Sequence, residues 1–307
     1  MEPAVEIRGL RKTFKGHLSI GRFLALDSVD LTVPAGVIYG FLGPNGAGKT
    51  TTLKILNGLL QPDSGSTTLL GRPAGDGEIR SRVGFLPEAP YFYDYLTGEE
   101  LLGFFGQLFG IGHKELRDKV PQLLDTVGLK GKGGIQLRKY SKGMLQRIGL
   151  AQALLNDPAL VILDEPMSGL DPIGRREIRD LILSMRARGQ TVFFSSHILA
   201  DAEMICDEVA ILVRGKVVQQ GPLEKLLGEE VQFWDVGVRN WGEIPAPFAG
   251  KILLRNEETV LLRVHDEGEV QRLIDAVRAD KAAVLSVAPH KVSLEDLFLA
   301  HAPGRSA

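Results

Sequence analysis

The run Gly43-Pro44-Asn45-Gly46-Ala47-Gly48-Lys49-Thr50 has the G-x-x-x-x-G-K-[ST] pattern of a loop that cradles phosphate. Its glycines let backbone N–H groups curl around an anion, and a helix that starts there turns its positive end to the same anion. Lys49 offers an ammonium to β- and γ-phosphates, Thr50 offers a hydroxyl to Mg²⁺, and Thr51 extends the same turn. The plain alternative is a glycine-rich turn with no ligand. The flanks argue against it: the apolar run Val37 to Leu42 precedes the loop and a helical pattern from Lys49 to Leu59 follows, giving strand, turn and helix.

A second chemical element is Leu160-Val161-Ile162-Leu163-Asp164-Glu165, an apolar strand that delivers two carboxylates to one end. Ligands of α/β proteins sit at the C-terminal edge of the sheet. There Asp164 would hold Mg²⁺ through water, and Glu165 would polarise an attacking water as general base. Solvated carboxylates are common after strands, so this pair gains its meaning from following the phosphate loop.

The elements that must position these groups can be read from patterning. Val5 to Ile7 and Leu31 to Val33 alternate as strands. Leu160 to Leu163 and Thr191 to Ser195 are continuous apolar runs suited to a buried parallel sheet. Residues from about Glu88 to Asn156 read as mostly helical: Thr97 and Glu100 form a capping box, Lys114 to Val127 has helical spacing, and Ser141 caps a helix to Leu155. Val209 to Val213 and Lys216 to Gln219 form a hairpin around Arg214-Gly215. Gly221-Pro222 marks a boundary, followed by a short helix from Leu223 to Leu227. After it come short strands (Gln232 to Val238, Thr259 to Val264, Ala283 to Val287) and one amphipathic helix, Glu269 to Arg278. Residues 1–221 are thus expected as a nucleotide-binding domain and 222–307 as a small α+β appendage.

Composition narrows the function classes. A formal net charge of -2 argues against a generalised nucleic-acid binder. The single cysteine, Cys206, excludes an internal disulfide and reads as a small core residue in a reducing compartment. No basic-then-apolar leader opens the sequence, and no apolar run approaches the ~20 residues needed to span a bilayer. A link to a membrane would pass through a partner, with the chain in the cytoplasm or on the cytoplasmic membrane face.

Tyr140-Ser141-Lys142-Gly143-Met144-Leu145-Gln146-Arg147 resembles the signature motif of ATP-binding cassette proteins, and it lies shortly before the Asp164-Glu165 strand, as in that family. Ser168-Gly169-Leu170-Asp171 resembles the family's D-loop, and His197 after Thr191 to Ser196 resembles its switch histidine. The resemblance implies a P-loop α/β cassette with a parallel-sheet core, an antiparallel β subdomain and a helical signature subdomain. It implies an ATPase that binds MgATP, with two cassettes packed head to tail, each ATP lying between the P-loop of one and the signature of the other. Ser141 and the backbone at Gly143 would then meet the γ-phosphate across the interface, His197 would contact it and position the water, and Asp171 would link the two sites. Taken singly, His197 reads as an ordinary histidine and Ser141 as a helix cap.

The family also places an aromatic platform for adenine near the N-terminus. Phe14 is the assigned residue, a core packing role is the alternative, and Phe23 competes from an apparently inserted stretch, Gly16 to Leu24. Two positions depart from the family pattern. Glu88 replaces the usual glutamine after Val83-Gly84-Phe85-Leu86-Pro87, keeping an oxygen for Mg²⁺ or water. The signature reads Tyr-Ser-Lys-Gly-Met in place of Leu-Ser-Gly-Gly-Gln. Both variations, with the tail Val292 to Phe298, resemble single-cassette ATPases of bacterial exporters whose permease subunits are separate chains. Tyr91, Phe92, Tyr93 and Tyr95 either border the groove for such a permease or pack under the helical subdomain. A ribosome- or DNA-acting cassette is the competing class, opposed by the single motif set and the lack of sustained heptads between Glu88 and Ser141. A P-loop kinase would have no use for the signature or D-loop. The transported substance is not legible.

Overall fold

The runs Ile38–Leu42, Leu160–Asp164 and Thr191–Ser196 are buried at every position. A strand covered on both faces cannot alternate polar and apolar residues, which is why these read as unbroken apolar stretches. A computed structural model describes residues 2–15, 21–228 and 230–301. Gly16 to Ile20, most of the inserted stretch, lie outside the described residues; Arg22 to Leu24 belong to a strand.

The chain opens with β1 (Val5–Lys15) and β2 (Arg22–Val33), an antiparallel pair, then β3 (Ile38–Leu42), the phosphate loop and α1 (Lys49–Leu56). Next come β4 (Ser64–Leu69), β5 (Arg72–Pro73), α2 (Gly77–Arg80) and β6 (Val83–Leu86). The helical segment holds α3 (Gly98–Leu108), α4 (His113–Thr126) and α5 (Lys142–Leu154). The chemistry-bearing strands follow in alternation with helices: β7 (Leu160–Asp164), α6 (Pro172–Ala187), β8 (Thr191–Ser196), α7 (Leu199–Glu203), β9 (Glu208–Val213) and β10 (Lys216–Pro222).

Two sheets result. The first has strand order β2-β1-β4-β5 and is antiparallel; the second has order β10-β9-β3-β8-β7-β6, parallel except for β10. Tyr39, Phe41, Ile162 and Phe193 from the parallel sheet share one core cluster with Val5, Ile7, Leu10 and Leu31 from the antiparallel one. Because β3, β6, β7 and β8 run the same way, residues 43, 87, 165 and 197 all leave the same edge.

Local signals set the helix starts. Thr97 Oγ1 accepts from Glu100 N (3.2 Å), and Glu100 Oε2 accepts from Thr97 N (2.8 Å), the reciprocal box expected from the sequence. Hydrogen bonding from Thr97, its backbone N–H first and then its hydroxyl, holds the Glu100 carboxyl below its ordinary range. Ser141 caps α5 by accepting from Met144 N (3.3 Å), and Asp171 caps α6 by accepting from Gly174 N (2.7 Å). Val83 to Leu86, just before Glu88, forms β6, paired in register with β7 from Val83↔Leu160 to Leu86↔Leu163.

The chain divides into two compact units, Met1–Leu223 with Phe298–Ala307, and Glu224–Leu297. After α8 (Leu223–Leu227), the second contains β11 (Val231–Arg239), α9 (Ala246–Ala249), β12 (Ile252–Arg255), β13 (Thr259–Val264), α10 (Glu267–Ala279) and β14 (Ala283–Lys291), and α11 (Leu294–His301) follows. Its sheet order is β12-β13-β11-β14, all antiparallel. Val236, Val238, Val260, Leu262 and Val264 pack with Val270, Leu273 and Val277 of α10. β12 and α9 were not anticipated, being only four residues each.

Candidate functional site

The phosphate loop takes its shape from close approaches. Gly43, Gly46 and Gly48 have φ of 158°, 80° and 113°. A Cβ on Gly48 would stand 2.6 Å from Ala25 O, in a left-handed conformation that side chains avoid. The loop is therefore pressed against β2, and Gly215 N donates to Ala47 O (2.9 Å) to hold its far side. At Gly46 a Cβ would meet nothing within 4 Å, so the tip opens outward.

Lys49 is buried, and its ammonium has three protons to place. They meet Gly43 O (2.7 Å), Pro44 O (3.2 Å) and Glu165 Oε1 (3.2 Å). Both side chains of the Lys49–Glu165 pair are buried, where an ion pair is tolerated only with further hydrogen bonds. Glu165 has them: its Oε2 lies 2.7 Å from His197 Nδ1. Its backbone sits at φ 50°, left-handed and strained for a residue with a side chain.

Thr50 Oγ1 donates to Asp164 Oδ1 (3.2 Å), so the loop hydroxyl and the strand carboxylate meet across 114 residues of sequence. Burial pushes the Asp164 carboxyl above its ordinary range, while hydrogen bonds from Ser195 and Thr50 act in the opposite direction. The donor set suits Mg²⁺: that ion favours hard oxygens and one or two carboxylates completed by substrate phosphates. Among the described residues no group of three or more His, Cys, Asp or Glu forms a protein-only metal cage.

A cleft of ≈ 270 Å³ is lined by the loop, Pro44 to Thr51, together with Glu88, Glu165, Ala25 and Phe23. The structure thus gathers Asn45, Gly46, Ala47, Gly48, Lys49, Thr50, Thr51, Glu88 and Glu165 at one place, with Asp164 and His197 bonded into the same network. Phe14 does not line the cleft. It lies directly opposite Phe23 in the β1–β2 register, with Lys12 Nζ 5.8 Å from its ring centre. Phe23, weighed against it in the sequence, is the ring at the cleft, because β2 rather than β1 runs over the loop.

Ser141, Gly143 and Asp171 are elsewhere in the same unit. They line a separate cleft of ≈ 550 Å³ with Lys142, Gly169 and Ile173. Lys142 Nζ lies where a Cβ on Gly169 would stand, so the signature segment and the D-loop segment touch. A third, more apolar cleft of ≈ 530 Å³ is lined by Leu59, Ile79, Phe85, Tyr91, Phe105 and Phe109, among others. Tyr91 is 98% exposed; Tyr93 and Tyr95 are also exposed, with the Tyr93 ring 5.9 Å from Tyr95 and 6.2 Å, edge-on, from Phe104 of α3.

Sequence reasoning assigned no role to Ser195, which is fully buried and bonded to both Asp164 and Glu165. The signal available was a buried hydroxyl directly after the apolar run Val192 to Phe194.

Comparison with known proteins agrees with this geometry. A family model described as ABC transporter matches residues 26–168. An uncharacterised ABC transporter ATP-binding protein of Synechocystis sp. is 48% identical over 278 residues, covering 90% of this chain and 77% of that one. A Nod factor export ATP-binding protein I of Sinorhizobium fredii is 31% identical over 303 residues, covering 96% and 85%. A bacitracin transport ATP-binding protein of Bacillus licheniformis is 44% identical over 205 residues, 66% of each. Among solved structures, an ATP-binding subunit of an ABC transporter superposes with a TM-score of 0.63 at 32% identity, covering 73% of this chain and 91% of that one. A dimeric ATP-binding cassette in a post-hydrolysis state, bound to ADP and Pi, shares the fold, with a TM-score of 0.66 at 24% identity, covering 71% and 98%.

Proposed function

The chain belongs to the family of ABC transporter ATP-binding proteins, and from that membership we propose that it is the ATP-hydrolysing subunit of an exporter, working as a head-to-tail dimer beneath separate permease subunits. The observation that carries the reading is the convergence of Lys49, Thr50, Asp164, Glu165 and His197 in one bonded network at one sheet edge. In this reading the β- and γ-phosphates take the place of Glu165 on Lys49, whose three protons are otherwise all engaged. That exchange frees the Glu165 carboxylate to accept a proton from water, with His197 Nδ1 keeping its orientation. Thr50 and Asp164, with Glu88 at the cleft margin, would hold Mg²⁺, which supplies charge neutralisation on the phosphate oxygens. Phe23 beside Phe14 offers the adenine face.

Ser141, Gly143 and Asp171 lie in their own cleft, so their place in the reaction is on a second cassette. Their helix N-termini, at α5 and α6, suit a γ-phosphate brought by a partner. The aromatic groove from Leu59 to Phe109 is proposed as the permease contact on the cytoplasmic membrane face; no described helix is long and apolar enough to cross a membrane. The name of the Nod factor export relative supports export as the direction. Residues 1–221 are proposed as the nucleotide domain and 222–307 as the accessory one, although the segment from Phe298 groups with the first unit.

The test is the oligomeric state of Glu165→Gln. Size-exclusion chromatography with light scattering is expected to show an ATP-dependent dimer, abolished by adding Ser141→Arg while nucleotide still binds. Wild-type hydrolysis that stays linear in protein concentration to high dilution, with no dimer present, would overturn the sandwich.

A further inference from the structure

The reaction as read above uses Asp164 on the metal side and Glu165 on the water side. Nothing in it explains what holds these consecutive residues in such different environments. We propose that Ser195 is the positioning residue that does so, its hydroxyl joining the Asp164 carboxylate to the Glu165 backbone; the proposal rests on the ATPase reading and deepens it.

Ser195 is fully buried at the end of β8, directly opposite Asp164 in the β7–β8 register. Its Oγ donates to Asp164 Oδ1 (2.6 Å) and accepts from Glu165 N (2.9 Å). The assignment of roles has one solution. A carboxylate can only accept and a backbone N–H can only donate, so the single hydroxyl proton goes to Asp164 and a lone pair takes Glu165 N–H. Asp164 Oδ1 also receives the Thr50 hydroxyl (3.2 Å). Three segments distant in sequence therefore close on one oxygen.

The second bond matters because of where Glu165 turns. At φ 50° its backbone has left the strand for a conformation L residues avoid. That turn aims the side chain at Lys49 and His197. Without an acceptor at Ser195, the N–H would be buried and unpaired in the strained conformer, and a relaxed backbone would carry the carboxylate away. The three residues before it in β8, Val192, Phe193 and Phe194, are fully buried apolar side chains. A buried hydroxyl among them is stable only because both of its bonds are made.

Ser195 touches neither phosphate nor water in this scheme, so its effect is indirect. Groups that orient metal-side ligands typically contribute ~10–100-fold in metal affinity or activity. The test uses the full chain with Ser195→Ala and Ser195→Thr, the latter keeping the hydroxyl. Binding of a fluorescent ATP analogue in EDTA is expected to be unchanged in both. Ser195→Ala is expected to raise the Mg²⁺ concentration needed for tight binding and to lower kcat by ~10–100-fold with little change in KM for ATP. Ser195→Thr is expected to recover both. Wild-type Mg²⁺ dependence and kcat in Ser195→Ala would overturn the proposal, as would a Thr variant as impaired as Ala, which would make the position one of packing. If Ser195→Ala does not fold, Ser195→Cys, with its weak donor and acceptor, carries the same comparison. A wild-type chain that binds MgATP without hydrolysing it defeats the ATPase reading, and the Mg²⁺-dependent binding shift still decides Ser195.

Discussion

The two units treat polar side chains in opposite ways. Every buried polar or charged side chain among the described residues lies in the first: Lys49, Thr52, Gln146, Asp164, Glu165, Thr191, Ser195, Ser196 and Asp201. In the second unit the polar groups stay near water. Asp235 accepts two bonds from Arg263 (2.8 and 2.9 Å) on a partly exposed sheet surface, with the guanidinium 3.7 Å from the Phe233 ring centre. Buried charge is costly unless paired, so its concentration in one unit marks where binding and chemistry are to be expected. A surface pair of the second kind adds little to stability and asks nothing of a ligand.

The sharpest way to break this comparison is at the buried network. Lys49→Ala is expected to weaken MgATP binding and abolish turnover. Glu165→Gln is expected to keep binding while lowering turnover by ~10²–10⁴, the usual worth of general-base catalysis. Steady-state hydrolysis beside equilibrium nucleotide binding separates the two effects. Full activity in a folded Lys49→Ala chain would break the comparison at its root.

Phe23→Ala sharpens it within the first unit. Base–aromatic stacking is worth ~1–3 kcal/mol, so Phe23→Ala should cost about tenfold in ATP affinity, and Phe14→Ala less, by titration of the purified variants. The reverse order would return the platform to Phe14.

Removing the chain after Gly221 tests the division itself. Nucleotide binding should survive, because no site residue lies beyond it. Thermal stability should fall, because the truncation also removes the segment from Phe298 that groups with the first unit.

The smallest effect is expected in the second unit. Hydrogen bonds from Arg263 hold the Asp235 carboxyl below its ordinary range. A depressed carboxyl contributes stability above its unfolded value, about pH 3.9, and loses it as pH falls through the folded value. Asp235→Asn should therefore melt earlier than wild type at neutral pH, converge with it in acid, and hydrolyse ATP normally.

Legibility in the sequence followed the range of the interactions. The Thr97–Glu100 box and the Ser141 cap were readable because a cap is completed within four residues. β7 and β8 were readable because burial on both faces leaves unbroken apolar runs. The order of motifs made Lys49, Asp164, Glu165 and His197 candidates for one site, which the strand topology then joins. Phe23 ranked below Phe14 because it falls in an apparently inserted stretch, and its pairing in β2 beside the glycine-rich loop leaves no local trace. Ser195 was passed over for the same reason: its partners, Asp164 and Glu165, are about thirty residues away, and only the β7–β8 register brings them into contact.

That register has a consequence for how such a chain tolerates length changes. Asp164 faces Ser195, and Leu42 faces Ser196, by backbone pairing alone. Successive side chains on a strand point to opposite faces, so one residue inserted between Thr191 and Phe194 would exchange Ser195 for Phe194 opposite Asp164. The same insertion in the Arg188–Gln190 turn would shift no pairing at all. Point substitutions can tune this candidate site gradually, whereas a one-codon insertion within β8 acts as a frameshift in space, with every residue still translated correctly and the strand's alphabet read one letter out of phase.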